Sequence, residues 1–597
     1  MWLSRVLCLI IFLILVVANL NTIGYVLAAD ISVDTEITIA NTNTQQNIDT
    51  NGVTLTINAN TTGRNNNGIS VDNIGGATVI IGSGVTVSVN NNQAIDGTDS
   101  TNLTVINSGT ISAVNKTIEL EGATSGATIT NKFGGTITSQ NNTIKSVNTA
   151  SKITINNYGQ IEVTGTGHAI APVTGNDTYM VINNLSTGVI VKTSTADAAQ
   201  ETIELGTAGT LINSGQIRND TSPSNNAINL KGDNSTLLLK DGGIVVGRIV
   251  SNGTGNKLQL SHGFGKAYFY ETVGDLSLED LSGNVVVKGS AGSVGLGAQE
   301  TVDELLGVRV SNLRAMLNRY MTNFKVDGSG KSWIETFGYK TEREESLNLL
   351  EYDTTSWGVN FVQPLSTDVK FLTTIEFSEL SIQGDHEIDK KGFLMGISYT
   401  KKPFSSISKL STEGFILGGV SHNKSNRKIL TNTTTSGVMD LDANYYSYES
   451  IAGGNLTYSI DLDANDKSQT ELGFTLSSSH IGDYNEGNIF FWEDRSLVQE
   501  SIYLREQISH RLNEKISVNL GAEIEHRKVL EGKQQEYKIK KSQVKFSGGN
   551  HSEVSISGNL DLQYKVPNGL AFAHIQHQIS DSRQKNIGGG VGVNFSF

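Results

Sequence analysis

Residues 554–564 read V-S-I-S-G-N-L-D-L-Q-Y, and this stretch decides the fold of the C-terminal half of the chain. Apolar side chains at positions 554, 556, 560, 562 and 564 alternate with polar ones at 555, 559, 561 and 563. A period of two residues places the two sets on opposite faces of a β-strand. A strand of this length crosses a bilayer when it is tilted. The stretch therefore predicts one strand of a transmembrane β-barrel.

The same alternation continues through about twelve segments after Lys331, each about 9 to 13 residues long. A soluble β-sandwich also alternates, but its strands are usually about 5 or 6 residues long. The polar face carries Glu, Lys and Gln, as a wet lumen would. Short turns such as 365–367 contrast with long polar loops near 423–445, 481–498 and 528–550, an asymmetry typical of outer-membrane barrels. The sequence thus predicts a twelve-stranded antiparallel transmembrane β-barrel over residues 331–597.

One helix is predicted before the barrel, over residues 299–323. Val302, Leu305, Leu306, Leu313 and Leu317 recur at helical spacing. Three arginines, Arg309, Arg314 and Arg319, lie elsewhere on its surface. The helix either links two domains or threads a polar pore with its arginines facing an acidic wall. We favour the pore, because of the barrel pattern that follows.

The N-terminal half is a repeat of short Val, Ile and Thr runs broken by Asn and Gly. The phrase Gly-x-Ile begins at 109, 135, 159, 188 and 215, so its period is 24 to 29 residues. A period of this size in β-type residues indicates a solenoid. Stacked coils, about ten in number and about 50 Å long at about 4.8 Å per coil, would bring five isoleucines into one interior column: Ile111, Ile137, Ile161, Ile190 and Ile217.

Asn and Gly are expected at the corners of the coils, where stacked Asn side chains can hydrogen-bond to each other. The solenoid is predicted as a right-handed parallel β-helix over 30–236. The more apolar residues 237–295 are predicted to be its C-terminal cap, since the last coil needs a cover. A β-sandwich or a disordered polar tract is the alternative, but regular Ile and Val spacing disfavours disorder.

Residues 1–29 are predicted to be a secretory signal peptide, with Arg5 before an apolar run and Ala28 and Ala29 at the cleavage site. An uncleaved N-terminal anchor is the alternative. The sole cysteine, Cys8, lies inside this segment, so thiol catalysis and cysteine metal sites are excluded from the mature chain. The formal net charge of -14 argues against a nucleic-acid partner.

The final predicted strand carries a further signal. Val591, Val593, Phe595 and Phe597 alternate with small or polar residues, and the sequence ends on the aromatic Phe597. Such a strand resembles the targeting signal that the barrel-assembly machinery of bacterial outer membranes reads.

Signal peptide, β-helix, helix, twelve-stranded barrel and terminal Phe together resemble the type Va autotransporter family. Trp333, Gly338, Gly358 and Asn360 resemble the opening strands of its barrel. The resemblance implies an outer-membrane barrel that takes part in moving its own passenger to the cell surface. The implied partners are outer-membrane lipid, the barrel-assembly machinery and periplasmic chaperones. Some relatives cut themselves between two adjacent asparagines of the pore helix; here Asn312, Asn318 and Asn323 are never adjacent, so that route of passenger release is disfavoured.

The passenger shows no catalytic constellation. It lacks a Gly-x-Ser-x-Gly phrase, and nothing pairs His168 or His262 with a Ser and an Asp. In the barrel, His574 and His577 are three residues apart on a strand, so they point to opposite faces and make a poor metal pair. We therefore expect no catalytic residue, no metal site and no cofactor. The favoured role is an adhesin or surface-contact protein for a host or surface glycan or protein. The alternatives are a secreted hydrolase or polysaccharide lyase, and a plain channel with a large extracellular plug.

Overall fold

The computed structural model of the protein describes residues 28–42, 44–63, 67–122, 124–147, 152–173, 179–196, 200–287, 291–294, 298–327, 331–346, 349–401, 409–539, 542–547, 552–567 and 569–595. The described residues fold as two compact units. The solenoid unit comprises residues up to 262 together with 270–281 and 431–438. The barrel unit comprises 263–269, 282–430 and 439–597. Most of the predicted signal peptide lies outside the described residues, as does Phe597.

The solenoid unit is built from three parallel sheets to which successive coils add one strand each, so the predicted β-solenoid is confirmed. Its right-handedness stays a prediction. The first sheet contains Ala28–Ile31, Gln45–Ile48, Ile69–Ser70, Gln93–Asp96, Lys116–Glu121, Asn142–Val147, Ile170–Val173, Ile203–Leu205, Asn226–Leu230, Arg248–Ser251 and Thr272–Gly274. The second contains Thr35–Ile37, Thr54–Ile57, Thr78–Ile81, Thr104–Asn107, Thr128–Asn131, Ile153–Asn157, Met180–Asn184, Thr210–Asn213, Thr236–Lys240, Lys257–Ser261 and Ser277–Asp280. The third contains Asn41–Thr42, Thr61–Gly63, Thr86–Val89, Thr110–Ala113, Thr136–Ser139, Gln160–Val163, Val189–Lys192, Gln216–Asn219 and Ile244–Val246.

The interior of the solenoid is an apolar column flanked by an amide ladder. The five isoleucines expected in one column are paired strand to strand and completely buried: Ile111, Ile137, Ile161, Ile190 and Ile217. Beside them, each buried asparagine donates from Nδ2 to Oδ1 of the next coil's asparagine, at 2.8 to 2.9 Å. The ladder runs through Asn107, Asn131, Asn157, Asn184 and Asn213.

The glycine of each Gly-x-Ile phrase is needed because neighbouring coils approach closely there. A Cβ on Gly109 would lie 2.2 Å from the carbonyl oxygen of Val85, and one on Gly159 would lie 2.2 Å from that of Gly135. Such contacts forbid any side chain at these turns. The repeat phrase thus records two constraints at once, an apolar residue for the column and a glycine for the turn. The same parallel sheets continue through residue 237 as far as Asp280.

The barrel unit contains the predicted twelve-stranded antiparallel barrel. Its first strand pairs with its last, from Ser332 opposite Phe595 to Arg343 opposite Gln584, and this pairing closes the ring. The strands are Ser332–Arg343, Tyr352–Pro364, Val369–Ile382, His386–Lys401, Leu410–Thr431, Val438–Asp461, Asp466–Ile481, Arg495–Arg511, Ile516–Glu531, Ser552–Val566, Gly569–Ser580 and Gln584–Phe595.

Two faces of the barrel strands differ sharply in chemistry. The outward face exposes large apolar side chains from all twelve strands, among them Trp357, Ile375, Ile416, Phe474, Ile502, Leu520, Ile556, Ile575 and Val591. The inward face buries polar and charged side chains, among them Glu335, Asn360, Glu376, Glu449, Glu471, Arg505, Glu523, Glu525 and Arg527. A soluble protein sorts its residues the other way.

The remaining elements are few. A small antiparallel sheet is formed by Tyr484–Glu486, Phe490–Trp492, Gln534–Ile539 and Ser542–Ser547 within the long loops of the barrel. Tyr268–Tyr270 and Ala291–Ser293 are two further short strands, and Ala298–Asp327 is a helix of 30 residues. In the described ranges, no helix is both long enough and apolar enough to cross a membrane.

Candidate functional site: the pore helix and the barrel lumen

The helix Ala298–Asp327, which we call the pore helix, lies inside the barrel. Its apolar residues Leu306, Val310, Leu313, Met316 and Leu317 form one buried cluster with inward side chains of nine barrel strands. The barrel residues of that cluster are Trp333, Val362, Leu372, Leu394, Phe415, Leu417, Ile451, Leu497, Val529 and Phe572. Contacts around the whole ring are possible only for a helix that occupies the lumen.

The three predicted arginines of the pore helix recur every five residues. At about 100° and 1.5 Å per residue, this spacing turns each arginine by about 140° from the previous one and advances it by about 7.5 Å. Arg309, Arg314 and Arg319 therefore leave the helix in three directions and at three depths. Each reaches acidic residues on a different part of the barrel wall.

Arg309 bridges two strands that are far apart in the sequence. Its guanidinium donates to Glu376 through Nε and to Glu449 through Nη1. Glu449 also accepts from Lys390 Nζ at 2.6 Å, and Glu376 accepts from the hydroxyl of Tyr339. All of these acceptors are almost completely buried. One helix residue thereby ties together four strands of the wall.

Arg314 makes the most complete set of contacts. Its Nη2 donates to Glu523 at 2.8 Å and its Nη1 to Glu525 at 2.7 Å, both from the strand Ile516–Glu531. The guanidinium also stacks over the ring of Tyr503, 4.2 Å from its centre. Glu523 accepts a second bond from Arg505 on the neighbouring strand at 2.7 Å. The fork of an arginine suits such paired acceptors better than a lysine would.

Arg319 meets the first barrel strand. Its Nη2 donates to Glu335 at 2.7 Å. Glu335 also accepts from Asn360 Nδ2 at 3.2 Å and lies 3.2 Å from His574 Nδ1. The carboxylate is completely buried, and it accepts hydrogen bonds from the helix and from a second strand.

Other helix residues extend the same pattern. Ser311 donates to Glu525 at 2.7 Å, and Asn318 donates to Glu471. Near the start of the helix, Glu304 accepts from Arg343 and from the hydroxyl of Tyr352, the latter at 3.0 Å. The helix therefore supplies both cations and an anion to its ion pairs with the wall, and the wall supplies the opposite charge in each case.

A cavity of about 30 Å³ adjoins Arg309, Asn312, Arg319 and Glu376, and a cavity of that size holds about two water molecules. Buried charges are tolerated only when each has a partner. The ion pairs and the apolar cluster together hold the helix in place within the charged lumen.

Sequence reasoning predicted the arginines and an acidic wall, but not which acids would meet them. The acceptors Glu335, Glu376, Glu449, Glu523 and Glu525 come from four strands, and pairing across 16 to 211 residues of sequence is set by barrel closure. The position of these glutamates within the strands was the one sequence signal that could have identified them. Each of these glutamates occupies the polar phase of an alternating run, and an inward carboxylate demands an inward cation.

The other predicted residues are placed as follows. Val591 and Val593 are exposed on the outward face of the last strand, 58% and 42% accessible. Phe595 ends that strand, and Phe597 lies outside the described residues. His574 is buried in the lumen while His577 is exposed on the outward face, so the two do point to opposite sides of the strand.

No protein-family model matches this sequence, and no curated protein sequence matches it. Solved structures do resemble part of the fold. The translocator domain of autotransporter NalP from Neisseria meningitidis is 12% identical with a TM-score of 0.38, covering 49% of this chain and 96% of that one. The β-domain of the Bordetella autotransporter BrkA is 11% identical with a TM-score of 0.34, covering 45% and 99%. The transport unit of autotransporter AIDA-I from Escherichia coli is 11% identical with a TM-score of 0.33, covering 45% and 92%.

Proposed function

We propose that this chain is a type Va autotransporter: its barrel resides in the bacterial outer membrane and delivers its own β-solenoid passenger to the cell surface. The observation that carries the proposal is the inverted sorting of the barrel, apolar outside and charged inside. A surface of exposed Ile, Leu, Val and aromatic side chains is unfavourable in water and favourable in lipid. Closure of the ring satisfies every backbone group of the strands, as the hydrocarbon core of a bilayer requires.

The pore helix supports a transport role for this barrel. At about 1.5 Å per residue its 30 residues span about 45 Å, which exceeds the bilayer's hydrocarbon thickness of about 30 Å. The helix directly precedes the first barrel strand. The chain therefore passes through the lumen before it enters the wall. A passenger that has crossed its own barrel would remain joined to that barrel by such a segment in the lumen.

For the passenger we propose adhesion or surface contact. Its second sheet presents an outward column of threonines, paired strand to strand and partly exposed: Thr54, Thr78, Thr104, Thr128 and Thr154. Hydroxyls repeated at about 4.8 Å along a rigid rod suit shallow hydrogen bonding to a glycan or an extended protein chain. The rod offers area and regularity, the properties that surface contact needs.

Surface delivery is tested with antibodies against the solenoid on intact bacteria that express the full chain. We expect labelling of intact cells, and loss of the label after brief treatment with an external protease, while the barrel stays in the membrane fraction. Labelling only after the outer membrane has been permeabilised would contradict delivery. Immobilised glycans and matrix proteins then test adhesion, and cleavage of peptide or polyuronate substrates by the shed passenger would favour an enzyme instead.

The membrane position of the barrel is tested by placing charge on its outward face. Ile524 and Ile556 face each other across adjacent strands, 48% and 56% exposed. Replacing either by Arg in the membrane-inserted protein is expected to cost about 2–4 kcal/mol of unfolding free energy. The matched control is Glu531→Arg, an exposed site at the end of the same strand as Ile524, with an expected cost of about 0–1 kcal/mol. Equal effects at both depths would rule out lipid contact.

A further inference from the structure

The first sheet of the solenoid has a corner at which outward side chains converge. Between Glu201 and Glu204, the two residues Thr202 and Ile203 are both completely buried. Two consecutive inward residues mean that the chain turns there, so the side chains three apart both leave the apolar core and lie close together, with Glu204 largely covered. Lys116 and Glu119 do the same around the buried Thr117 and form a salt bridge. This corner is a polar groove along the rod.

At one level of this groove, three metal-ligating side chains come together. His168, just before the strand Ile170–Val173, lies next to Glu201 and Glu204 of the following coil. One potential ligand atom from each of the three lies within 4.8 Å of the others. A tetrahedral Zn²⁺ site has its ligand atoms about 3.4 Å apart, from bond lengths of about 2.1 Å. Small rotations of the two glutamates close that gap.

The tautomer of His168 is fixed in the form that binds metals. Its Nδ1 lies 2.9 Å from the backbone oxygen of Glu201. A carbonyl oxygen only accepts, so Nδ1 donates to it, and Nε2 is the ring nitrogen left to bind a metal ion. Metal-bound histidines are typically oriented by such a second hydrogen bond to a backbone carbonyl.

Asn229 is a buried neighbour of the cluster. Asn229, in the next coil, pairs with Glu204 in register and is 4% exposed. Its Nδ2 donates to Glu201 Oε1 at 3.2 Å, while its Oδ1 has no hydrogen bond within the described part of the chain. An unsatisfied buried carbonyl is costly, and an amide oxygen is a ligand that divalent cations accept; a rotation of the Asn229 side chain would offer this oxygen to an ion in the cluster.

We propose that His168, Glu201 and Glu204, with Asn229 beside them, form a binding site for one divalent transition-metal ion, with Zn²⁺ as its best fit. One nitrogen and two carboxylates are a donor set that Zn²⁺ accepts with a further position open. The ligands come from three successive coils. A bound ion therefore fastens these coils together and stabilises the folded rod. This site is independent of the role proposed for the barrel, and it goes against the sequence expectation of no metal site in the chain.

Lys231 is the group that competes with the ion. Its Nζ lies 3.0 Å from Glu204 Oε1 and its side chain is half exposed. Glu204 itself is largely buried, and the lysine occupies the carboxylate oxygen that an ion would use. Replacing Lys231 by Met removes the competitor without touching a ligand, and we expect Zn²⁺ to bind about two- to fivefold more tightly.

The test measures Zn²⁺ bound to the detergent-purified full chain after equilibrium dialysis against buffered free Zn²⁺. His168→Ala is expected to remove one equivalent per chain and to lower the affinity of that site about 100-fold or more, since loss of even an outer partner costs about 10–100-fold. X-ray absorption of the Zn²⁺-loaded wild-type chain is expected to show imidazole and carboxylate ligation. This measurement does not depend on any variant folding.

The matched control is Glu119→Gln, which removes a carboxylate from the same outward column three coils earlier. It is expected to leave the stoichiometry unchanged. Zn²⁺ is also expected to raise the thermal midpoint of the solenoid in the wild type and not in His168→Ala. Equal Zn²⁺ stoichiometry in wild type and His168→Ala, or an absorption spectrum without imidazole, would overturn the site, as would weaker binding in Lys231→Met.

Discussion

The solenoid and the barrel use the same two-residue alternation and sort it in opposite ways. In the solenoid, the inward phase is Ile, Val and Leu, and the polar groups admitted to the interior are mostly neutral hydroxyls and amides, the latter including the ladder through Asn131 and Asn157. In the barrel, the outward phase is apolar, and the inward phase is mainly Glu, Arg, Asn, Gln, Ser and Thr, with apolar side chains where the pore helix packs. Alternation alone therefore specifies a strand with two faces, and the solvent on each side decides which face is the interior.

The two interiors also satisfy their polar groups differently. Along the solenoid ladder each amide repeats the contact of the previous coil at 2.8 to 2.9 Å, so each coil that joins the stack adds one identical bond. In the barrel, each ion pair is unique and joins the pore helix to a distant strand. A repeated neutral contact tolerates the loss of one member better than a unique buried charge pair does.

The largest expected effect comes from the barrel interior. Arg314→Met leaves Glu523 and Glu525 with one cation fewer in a lumen where both are almost completely buried. Removing one partner of a buried pair costs about 3–5 kcal/mol. Urea unfolding of the purified barrel-bearing chain is expected to show that loss, and planar-bilayer recordings should show larger ion conductance because the helix is held less firmly.

The control for that variant is Lys340→Met, which breaks an exposed pair with Asp353 at 2.6 Å. Exposed pairs are worth about 0–1 kcal/mol, so neither stability nor conductance should change appreciably. The double variant Arg314→Met with Glu525→Gln should recover part of the lost stability. If Arg314→Met behaved like the control, the lumen would be an open aqueous channel and the contrast with the solenoid interior would fail.

A smaller effect is expected in the solenoid interior. Asn157→Ala removes an amide that accepts from Asn131 and donates to Asn184, at 2.9 Å each. The cost should be about 1–3 kcal/mol in thermal or urea unfolding of the solenoid, since buried polar neighbours lose a partner.

Asn156→Ala is the matched control, because Asn156 is the adjacent outward residue of the same strand and accepts from Asn183 at 2.8 Å. Water replaces that bond at little cost, about 1 kcal/mol or less. A larger loss for Asn156→Ala than for Asn157→Ala would show that the ladder does not set the order of the coils.

Sequence reasoning reached the fold of both regions and missed the pairings that give each its specificity. The column from Ile111 to Ile217 and the outward Val591 and Val593 follow from period alone, because repeat length and alternation are local properties. The partner of Arg319, Glu335, is 16 residues away in sequence, whereas that of Arg314, Glu525, is 211 residues away. Such pairs depend on barrel closure and helix rotation. The approach of His168 to Glu201 was hidden for a similar reason, because their 33-residue separation is longer than the repeat period of 24 to 29 residues.

The smallest expected effect tests whether an ionised carboxyl in the polar groove of the solenoid lowers the stability of the fold. Burial raises the pKa of the Asp96 carboxyl above its ordinary value of 3.8, and the nearby Glu119 and Asp72 raise it further, against the lowering effect of the bond from Thr98. Because the folded-state pKa is the higher one, the ionised carboxyl weakens the folded solenoid at neutral pH. The penalty disappears as the pH falls through the folded value toward 3.8. Wild type should therefore gain thermal stability relative to Asp96→Asn as the pH is lowered from 7 to 4. If the thermal midpoints of the two proteins changed in parallel with pH, water would screen the charge of Asp96 fully. The groove would then behave as ordinary solvent-exposed surface, in contrast to the charged interior of the barrel.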